Sequence, residues 1–215
     1  MDNILFPEQI DYINNSMDSS NDLLAEMEEF AGIHRIPILN KSSALFLEQL
    51  VLTKKPKRFL EIGMAIGYST IRTAKIVKDF GEIFTIEKSK DNIRIAERNI
   101  KKAGLDGKIK IYEGDAIEIL ENIGQTFDFI FLDADKEDYL KLFDLSLKVL
   151  EANGIILIDN LLWKGFTASK DIPDKYKKST ELIRQFNAYF LANPLLKSSI
   201  LPIGDGLGLG IKTTD

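Results

Sequence analysis

Polar side chains follow two apolar segments that have the composition of buried strands. Asp133 comes directly after residues 127–132, and Asp159 and Asn160 come directly after residues 155–158. In open α/β sheets, ligands collect at the carboxyl ends of the strands, so neighbouring strands would bring these side chains together. Carboxylate and amide oxygens suit a hard divalent cation such as Mg²⁺. A single aspartate in such a place most often caps a helix, but the recurrence on two strands favours a metal site.

A lysine lies close to the first of these acids. Lys136 is three residues beyond Asp133, so it would project from the next loop or the first helical turn toward the same point. A lysine beside a cation can act as a general base and take the proton of a reacting hydroxyl. The alternative is an ordinary surface lysine, one of 28 basic residues in the chain. The spacing alone leaves both interpretations open.

A second stretch that could bind a ligand runs over residues 58–69, which predict a strand, a tight turn and the start of a helix. Gly63 and Gly67 permit unusual backbone angles and let a ligand lie against bare backbone at the electropositive end of a helix. Glu61 in the strand and Glu87 at the end of the next strand could accept hydrogen bonds from a ligand amine and a ribose diol. This glycine corner therefore predicts a nucleotide-type ligand.

The same corner argues against a nicotinamide dinucleotide. The fingerprint G-x-G-x-x-G would need glycines at positions 65 and 68, which are Ala65 and Tyr68 here. A nicotinamide oxidoreductase is therefore a weaker alternative. A non-catalytic cofactor-binding or dimerisation module is another, but such a module would be expected to lose its metal or base residues.

Composition limits the class of protein and the kind of metal site. The chain has 215 residues with 45% hydrophobic and 28% charged residues, which is typical of one soluble domain. We expect a cytoplasmic protein without a membrane span, and a homodimer. Because the chain has no cysteine and a single histidine, His34, a thiolate or imidazole-rich metal site is excluded. The net charge of −5 argues against general nucleic-acid binding but permits a local basic face.

The elements that must position these residues follow a regular order. From the glycine corner onward, strands alternate with helices, which is typical of parallel strands joined by crossover helices. The short link at 204–206 joins expected strands at 198–203 and 207–212, and so short a link requires antiparallel neighbours. We therefore predict an α/β fold with a seven-stranded mixed sheet, helices on both faces and a C-terminal antiparallel hairpin.

Finer boundaries are also predicted along the chain. Ser42 or Ser43 is expected to cap a helix, and a turn at 153–154 is expected to precede the strand that begins at Ile155. A long connection at 161–178, which is functional or mobile because of its length, leads to a final helix at 179–191. We expect one domain over residues 1–215, with N-terminal helices in 1–56 covering the site and a core in 57–215.

Three motifs resemble those of a known family. The segments LEIGMAIGYS at 60–69, FLDADK at 131–136 and IDNLLWKG at 158–165 resemble the cofactor loop, the metal and base motif and the second metal motif of class I S-adenosylmethionine-dependent methyltransferases. The match is to the cation-dependent O-methyltransferases, which include catechol and caffeoyl-CoA methyltransferases. It spans about residues 36–212 and implies a Rossmann-like fold.

The resemblance also implies an activity and a set of site residues. It implies transfer of a methyl group from S-adenosylmethionine to an acceptor hydroxyl that is bound at Mg²⁺ or another hard divalent cation. It implies Lys136 as the catalytic base and Asp133, Asp159 and Asn160 as the metal ligands. The cofactor site would consist of Ile38, Glu61, Gly63, Gly67, Ser69, Glu87, Asp115, Ala116 and Asp133.

The acceptor is the part on which the motifs disagree. The segments at 36–39, 162–166 and 202–206 are most similar to bacterial tRNA 5-hydroxyuridine methyltransferases, so 5-hydroxyuridine in tRNA is the expected acceptor. Asp135 departs from that pattern, because those enzymes often carry alanine there. The form Asp-Ala-Asp-Lys belongs to the small-molecule branch, so a catechol-like or caffeoyl-CoA-like molecule is the alternative. Basic residues that could form a rim for tRNA, or simply be solvated, are Arg35, Lys164, Lys170, Lys175, Lys177, Lys178 and Arg184.

Overall fold

Strands and helices alternate along most of the chain. The computed structural model describes residues 6–16, 22–77 and 79–213. The strands are β1 (Arg58–Ile62), β2 (Glu82–Glu87), β3 (Ile109–Glu113), β4 (Phe127–Leu132), β5 (Leu150–Ile158), β6 (Leu196–Leu201) and β7 (Leu207–Lys212). The helices are α1 (Pro7–Ser16), α2 (Asp22–His34), α3 (Lys41–Lys54), α4 (Tyr68–Val77), α5 (Lys90–Lys102), α6 (Ala116–Asn122), α7 (Tyr139–Val149) and α8 (Asp174–Leu191), with short 3₁₀ turns at Lys136–Asp138 and Trp163–Gly165.

The described residues form a seven-stranded mixed sheet. Its strand order is β3-β2-β1-β4-β5-β7-β6. The first five strands pair in parallel, and β7 pairs antiparallel with both β5 and β6. The predicted mixed sheet with a C-terminal antiparallel hairpin is therefore confirmed. In this order β1 lies between β2 and β4, so the glycine corner after β1 stands beside the polar residues that follow β4.

Helices cover both faces of the sheet, and alternate strand residues enter two separate apolar clusters. Phe59, Phe129 and Leu157 pack with helices α2 to α5 on one face. Leu60 and Ile130 pack with helices α6 to α8 on the other. A parallel strand that is covered on both faces must be apolar throughout, which explains the uninterrupted hydrophobic runs in β4 and β5.

The predicted cap of the third helix is wrong. Asn40, not Ser42 or Ser43, caps α3, because its extended backbone lets its side-chain oxygen accept a hydrogen bond from the Ser43 amide at 2.8 Å. Both serines therefore lie inside the first turn.

The predicted ends of the later elements also differ. The turn at 153–154 is an irregularity inside β5, where the pairing with β4 shifts and Asn153 adopts a left-handed backbone (φ 58°). The last helix begins at Asp174 rather than at residue 179, since Pro173 occupies the N-cap position. Tyr176 is the only apolar residue in 174–178, so no apolar stripe marked this first turn.

The N-terminal helices share a core with the sheet. Met27 of α2 and Leu47 of α3 belong to the same apolar cluster as strands β1 and β4. Residues 1–5 and 17–21 of the predicted N-terminal unit lie outside the described residues. The division at residue 56, and the covering of the site by these helices, stay predictions. Within the described ranges, no helix has the length and apolar character that crossing a bilayer would require.

Candidate active site

The glycine corner is fixed by one carboxylate from the neighbouring strand. Gly63, Ala65 and Gly67 all have left-handed backbones, with φ of 101°, 48° and 86°. Glu87 accepts hydrogen bonds from the amides of Ala65 at 2.9 Å and Ser89 at 2.8 Å, one on each carboxylate oxygen. The end of β2 is thereby tied to the corner after β1. Each oxygen of Glu87 keeps acceptor capacity for a ligand.

Glu61 lies below the corner and is fully buried. Its carboxylate accepts hydrogen bonds from the hydroxyls of Ser69 and Thr70 at 2.5 Å each, and from Thr85 at 2.7 Å. Burial raises the pKa of Glu61 to about 7, although the three hydroxyl donors oppose the shift. Glu61 therefore fastens the first turn of α4 to strands β1 and β2. Its predicted hydrogen bond to a ligand amine stays a prediction.

Asp115, Ala116 and Ile38 are further members of the predicted cofactor site. Asp115 caps α6 by accepting a hydrogen bond from the amide of Ile117 at 2.8 Å, and Ala116 begins that helix. The preceding Gly114 amide binds the carbonyl of Glu87 at 3.0 Å, which brings this cap close to the end of β2. Ile38 packs, half-buried, against the apolar cluster of its face. Roles of these residues toward a cofactor stay predictions.

The predicted metal ligands meet at the ends of β4 and β5. The amide of Asp159 donates a hydrogen bond to the carbonyl of Leu132 at 3.1 Å, so the ends of β4 and β5 lie side by side. Asp159 is only 4% exposed, and its Oδ2 accepts a hydrogen bond from Asn160 Nδ2 at 3.0 Å. Its Oδ1 is buried and has no hydrogen-bond partner among the described residues. A buried carboxylate oxygen without a partner is costly unless a ligand supplies one.

The electrostatics of this edge favour a cation. Burial, followed by the charge of Asp133, raises the pKa of Asp159 to about 8. The described residues contain no group of three or more histidine, cysteine, aspartate or glutamate side chains that could hold a metal ion. The candidate set instead consists of two carboxylates and the Asn160 amide, which are oxygen donors suited to a hard divalent cation. The residues present therefore fit such an ion.

Lys136 reaches this edge, as its spacing predicted. Its Nζ lies 3.6 Å from Asp133 Oδ1 and donates a hydrogen bond to the carbonyl of Ala134 at 3.0 Å. The same atom lies 5.1 Å from the ring centre of Tyr139 and 5.8 Å from that of Trp163. Only 15% of the Lys136 side chain is exposed, so its ammonium lies beside the Asp133 carboxylate and does not extend into solvent.

An aromatic wall stands next to Lys136, and we define it as Trp163, Phe166 and Tyr176. Tyr176 stacks on Phe166 with ring centres 5.2 Å apart and meets Trp163 edge-on at 6.3 Å. The sequence marked the surrounding loop by its length but did not single out Tyr176, which lies on α8. The aromatic composition of 163–176 was the available signal. A wall of this kind suits a planar acceptor.

Three residues of the predicted basic rim have partners within the folded chain. Lys177 pairs with Asp174 at 2.6 Å, and Lys178 pairs with Glu137 at 2.6 Å. Arg184 directs its guanidinium at backbone carbonyls of the loop at 161–173 instead of at solvent. Arg184 is therefore a poor candidate for phosphate contacts, whereas Lys177 and Lys178 keep most of their side chains exposed in weak surface ion pairs.

We call the candidate metal ligands at the ends of β4 and β5, Asp133, Asp159 and Asn160, the metal edge. The glycine corner contacts this edge at Gly63. A Cβ atom at this position would lie 1.9 Å from the carbonyl oxygen of Asp133. Gly63→Ala must therefore both adopt a disfavoured backbone and push β4 away, at an expected cost of about 3–5 kcal/mol of unfolding free energy. Thermal unfolding followed by circular dichroism should show the melting temperature falling by about 2–4 °C for each kcal/mol.

Gly104 provides the matched control for this prediction. It is also left-handed, with φ of 68°, but nothing lies within 4 Å of an added Cβ. Gly104→Ala should cost only about 1–2 kcal/mol. Equal losses in both variants would show that the close approach of Gly63 to Asp133 is unimportant.

Comparison with known proteins agrees with this geometry. A model of the O-methyltransferase family matches residues 14–213. Caffeoyl-CoA O-methyltransferase 1 from Eucalyptus globulus is 33% identical over 196 residues, which are 86% of this chain and 80% of that protein. Flavonoid 3',5'-methyltransferase from Vitis vinifera is 31% identical over 193 residues, 86% of this chain and 81% of that protein. The structure of an SAH-bound methyltransferase from Podospora anserina superposes with a TM-score of 0.85 at 28% identity, covering 98% of this chain and 97% of that one. The chain belongs to the O-methyltransferase family.

Proposed function

We propose that this protein transfers the methyl group of S-adenosylmethionine to one of two adjacent oxygens on a planar, catechol-type acceptor, with the help of a hard divalent cation. The observation that carries the proposal is the direct contact of the glycine corner with the metal edge at Gly63 and Asp133. Lys136 lies at the same edge. A methyl donor and a cation-bound acceptor would therefore occupy adjoining places.

The cofactor assignment is supported by the corner and by the SAH-bound relative. Glu87 would bind the ribose hydroxyls with the acceptor capacity that remains after its two backbone hydrogen bonds. Gly63, Gly67 and the first turn of α4, including Ser69, would surround the rest of the cofactor, with Asp115 and Ala116 at its far end. Glu61 would hold this turn in place from below.

The acceptor side would be built from the metal edge and the aromatic wall. Asp133, Asp159 and Asn160 would hold the cation, which when bound lowers the pKa of an acceptor hydroxyl and orients a second oxygen. Lys136 would remove the proton of that hydroxyl. The methyl group would then move from sulfur to oxygen, with the two substrates held in line so that little orientational freedom remains to be lost.

A small-molecule acceptor accords with the aromatic wall and with the names of the relatives, which refer to caffeoyl-CoA and to flavonoids. The second candidate is 5-hydroxyuridine in tRNA, which also presents paired oxygens. It is favoured by four residues that form no ion pair with a carboxylate in the part of the chain that the structure describes, namely Arg35, Lys164, Lys170 and Lys175. A cytoplasmic location and a homodimer stay predictions, the latter checked by light scattering.

Methyl-transfer assays on both acceptors should separate the two candidates. With S-adenosylmethionine and Mg²⁺, we expect a free catechol to be methylated at a rate that depends little on salt. Binding of tRNA would weaken steeply with salt, because phosphate contacts release counterions. Lys170→Glu, on the exposed loop, should leave catechol methylation unchanged. Methylation confined to tRNA and impaired by Lys170→Glu would replace the catechol proposal, and cofactor binding without methylation of either acceptor would contradict both.

A further inference from the structure

The loop that carries the aromatic wall has an unfavourable backbone. Trp163, Lys164 and Gly165 are three successive residues in the left-handed region, with φ of 46°, 56° and 80°. Two of them have side chains, and such residues persist in this region only when their surroundings hold them there. The contacts that hold this loop therefore decide where Trp163 lies.

The first half of the loop is held by the link between β6 and β7. The amide of Leu161 binds the carbonyl of Gly206, and the amide of Leu162 binds the carbonyl of Asp205, both at 2.9 Å. The Asp205 carboxylate in turn accepts a hydrogen bond from the amide of Lys164. These are mostly backbone contacts, which a side-chain substitution would not remove.

The second half is held by one side chain of α8. The Arg184 guanidinium donates to the carbonyls of Phe166 at 3.1 Å, Thr167 at 3.0 Å and Ser169 at 2.5 Å. Asn187, one turn further along the same helix, donates to the carbonyl of Leu161 at 2.7 Å. Three carbonyls that converge on one planar fork match arginine and not lysine, whose ammonium is a compact point charge.

We propose that Arg184 is a positioning residue that holds the aromatic wall beside Lys136, and thereby sets the affinity for the acceptor. The proposal rests on the function proposed above, in which the wall faces the acceptor. The helix that carries Arg184 also carries Tyr176, which contacts both Trp163 and Phe166. Loss of the three hydrogen bonds would release residues 166–169 from Arg184 without touching the glycine corner or the metal edge, while Asn187 would still hold Leu161.

The only tryptophan in the chain is Trp163, so its fluorescence reports on the loop directly. Arg184→Met should shift the emission to longer wavelength and increase quenching by acrylamide about twofold, since Trp163 becomes more accessible. The Michaelis constant for a catechol should rise about tenfold, as expected for the loss of net hydrogen-bond energy, while kcat and S-adenosylmethionine affinity change less than about twofold. Arg184→Lys should lie between this variant and the wild type.

Arg94→Met is the matched control, because Arg94 is exposed on α5 and pairs with Asp91 one turn away. It should leave emission, quenching and the Michaelis constant unchanged. Unaltered fluorescence in Arg184→Met would overturn the proposal. So would a change in fluorescence with no rise in the Michaelis constant, or a parallel loss of cofactor affinity and melting temperature, which would indicate general destabilisation. If the wild type methylates no catechol, the proposed function fails, while fluorescence still decides whether Arg184 holds the loop.

Discussion

Replacement of Lys136 by alanine should lower the rate of methyl transfer by about 10²- to 10⁴-fold, the usual contribution of a general base. Lys136 Nζ lies 3.6 Å from Asp133 Oδ1 and close to two aromatic rings, so it is held at the edge where the acceptor would bind. It makes no contact with the glycine corner among the described hydrogen bonds. Single-turnover kinetics should therefore show the loss, while calorimetry should show unchanged S-adenosylmethionine affinity.

Two further variants distinguish proton removal by Lys136 from the electrostatic effect of its positive charge. Lys136→Arg keeps a positive charge beside Asp133 but cannot give up a proton, so it should be nearly as inactive as Lys136→Ala. Lys141→Ala removes an exposed lysine of α7 that pairs with Glu121, and should retain full activity. High activity in Lys136→Arg would show that the charge of this residue matters and that proton removal belongs to another group.

Asp159→Asn should abolish the effect of the cation and yet make the cation-free protein more stable. Asp159 has the ordinary pKa of an aspartate in the unfolded chain and a raised pKa, about 8, when folded. The folded state therefore binds the proton more tightly, and stability is lost as the pH rises from about 4 to about 8. Asparagine carries no such charge. Melting temperatures of the cation-free proteins should diverge over this range, with Asp159→Asn the higher.

Added Mg²⁺ should act in the opposite direction and raise the melting temperature of the wild type toward that of Asp159→Asn or above it. Cation binding to the wild type stabilises the fold, by about 2.7 kcal/mol at a concentration one hundred times the Kd, whereas Asp159→Asn should gain little. Chelation should abolish methyl transfer by the wild type, and activity in Asp159→Asn should be reduced at least about 10²-fold because several kcal/mol of charge stabilisation are lost. Asp144→Asn, on the exposed side of α7, should behave as the wild type in each measurement. Full activity under excess chelator would contradict the metal assignment.

The sequence predicted the features that depend on local pattern and on strand order. Hydrophobic runs that end in acids located β4 and β5, and the rule for strand ends brought Asp133, Asp159 and Lys136 to one edge. Ser89 belongs to the residue types that favour the N-cap position, and its side chain accepts a hydrogen bond from the Asn92 amide at the start of α5. The strand ends succeed because their physical cause lies within a few residues of the signal, and their meeting follows from the general rule that parallel strands place their carboxyl ends at one edge of the sheet.

The features that the sequence did not predict depend on partners far away in the chain. The three hydroxyls around Glu61 come from α4 and β2, and Arg184 contacts carbonyls 15 to 18 positions earlier. Nothing local to Arg184 distinguishes it from an arginine that faces solvent, so it was placed in a basic rim. Lys178 was placed there as well, and its partner Glu137 lies 41 positions earlier in the chain. The partner of Lys177 is local, since Asp174 lies three residues earlier, but the pair forms only if the helix begins at Asp174.

The contact between Gly63 and the carbonyl of Asp133 has a thermodynamic consequence for the enzyme as a whole. One residue after β1 borders the cofactor corner, and one residue after β4 would bind the cation, with no intervening side chain to absorb a displacement. A ligand bound at the cofactor corner would then change the affinity for a cation at the metal edge, and a bound cation would change the affinity for the cofactor. Linkage makes this coupling reciprocal, so any factor by which S-adenosylmethionine changes the affinity for Mg²⁺ is also the factor by which Mg²⁺ changes the affinity for S-adenosylmethionine.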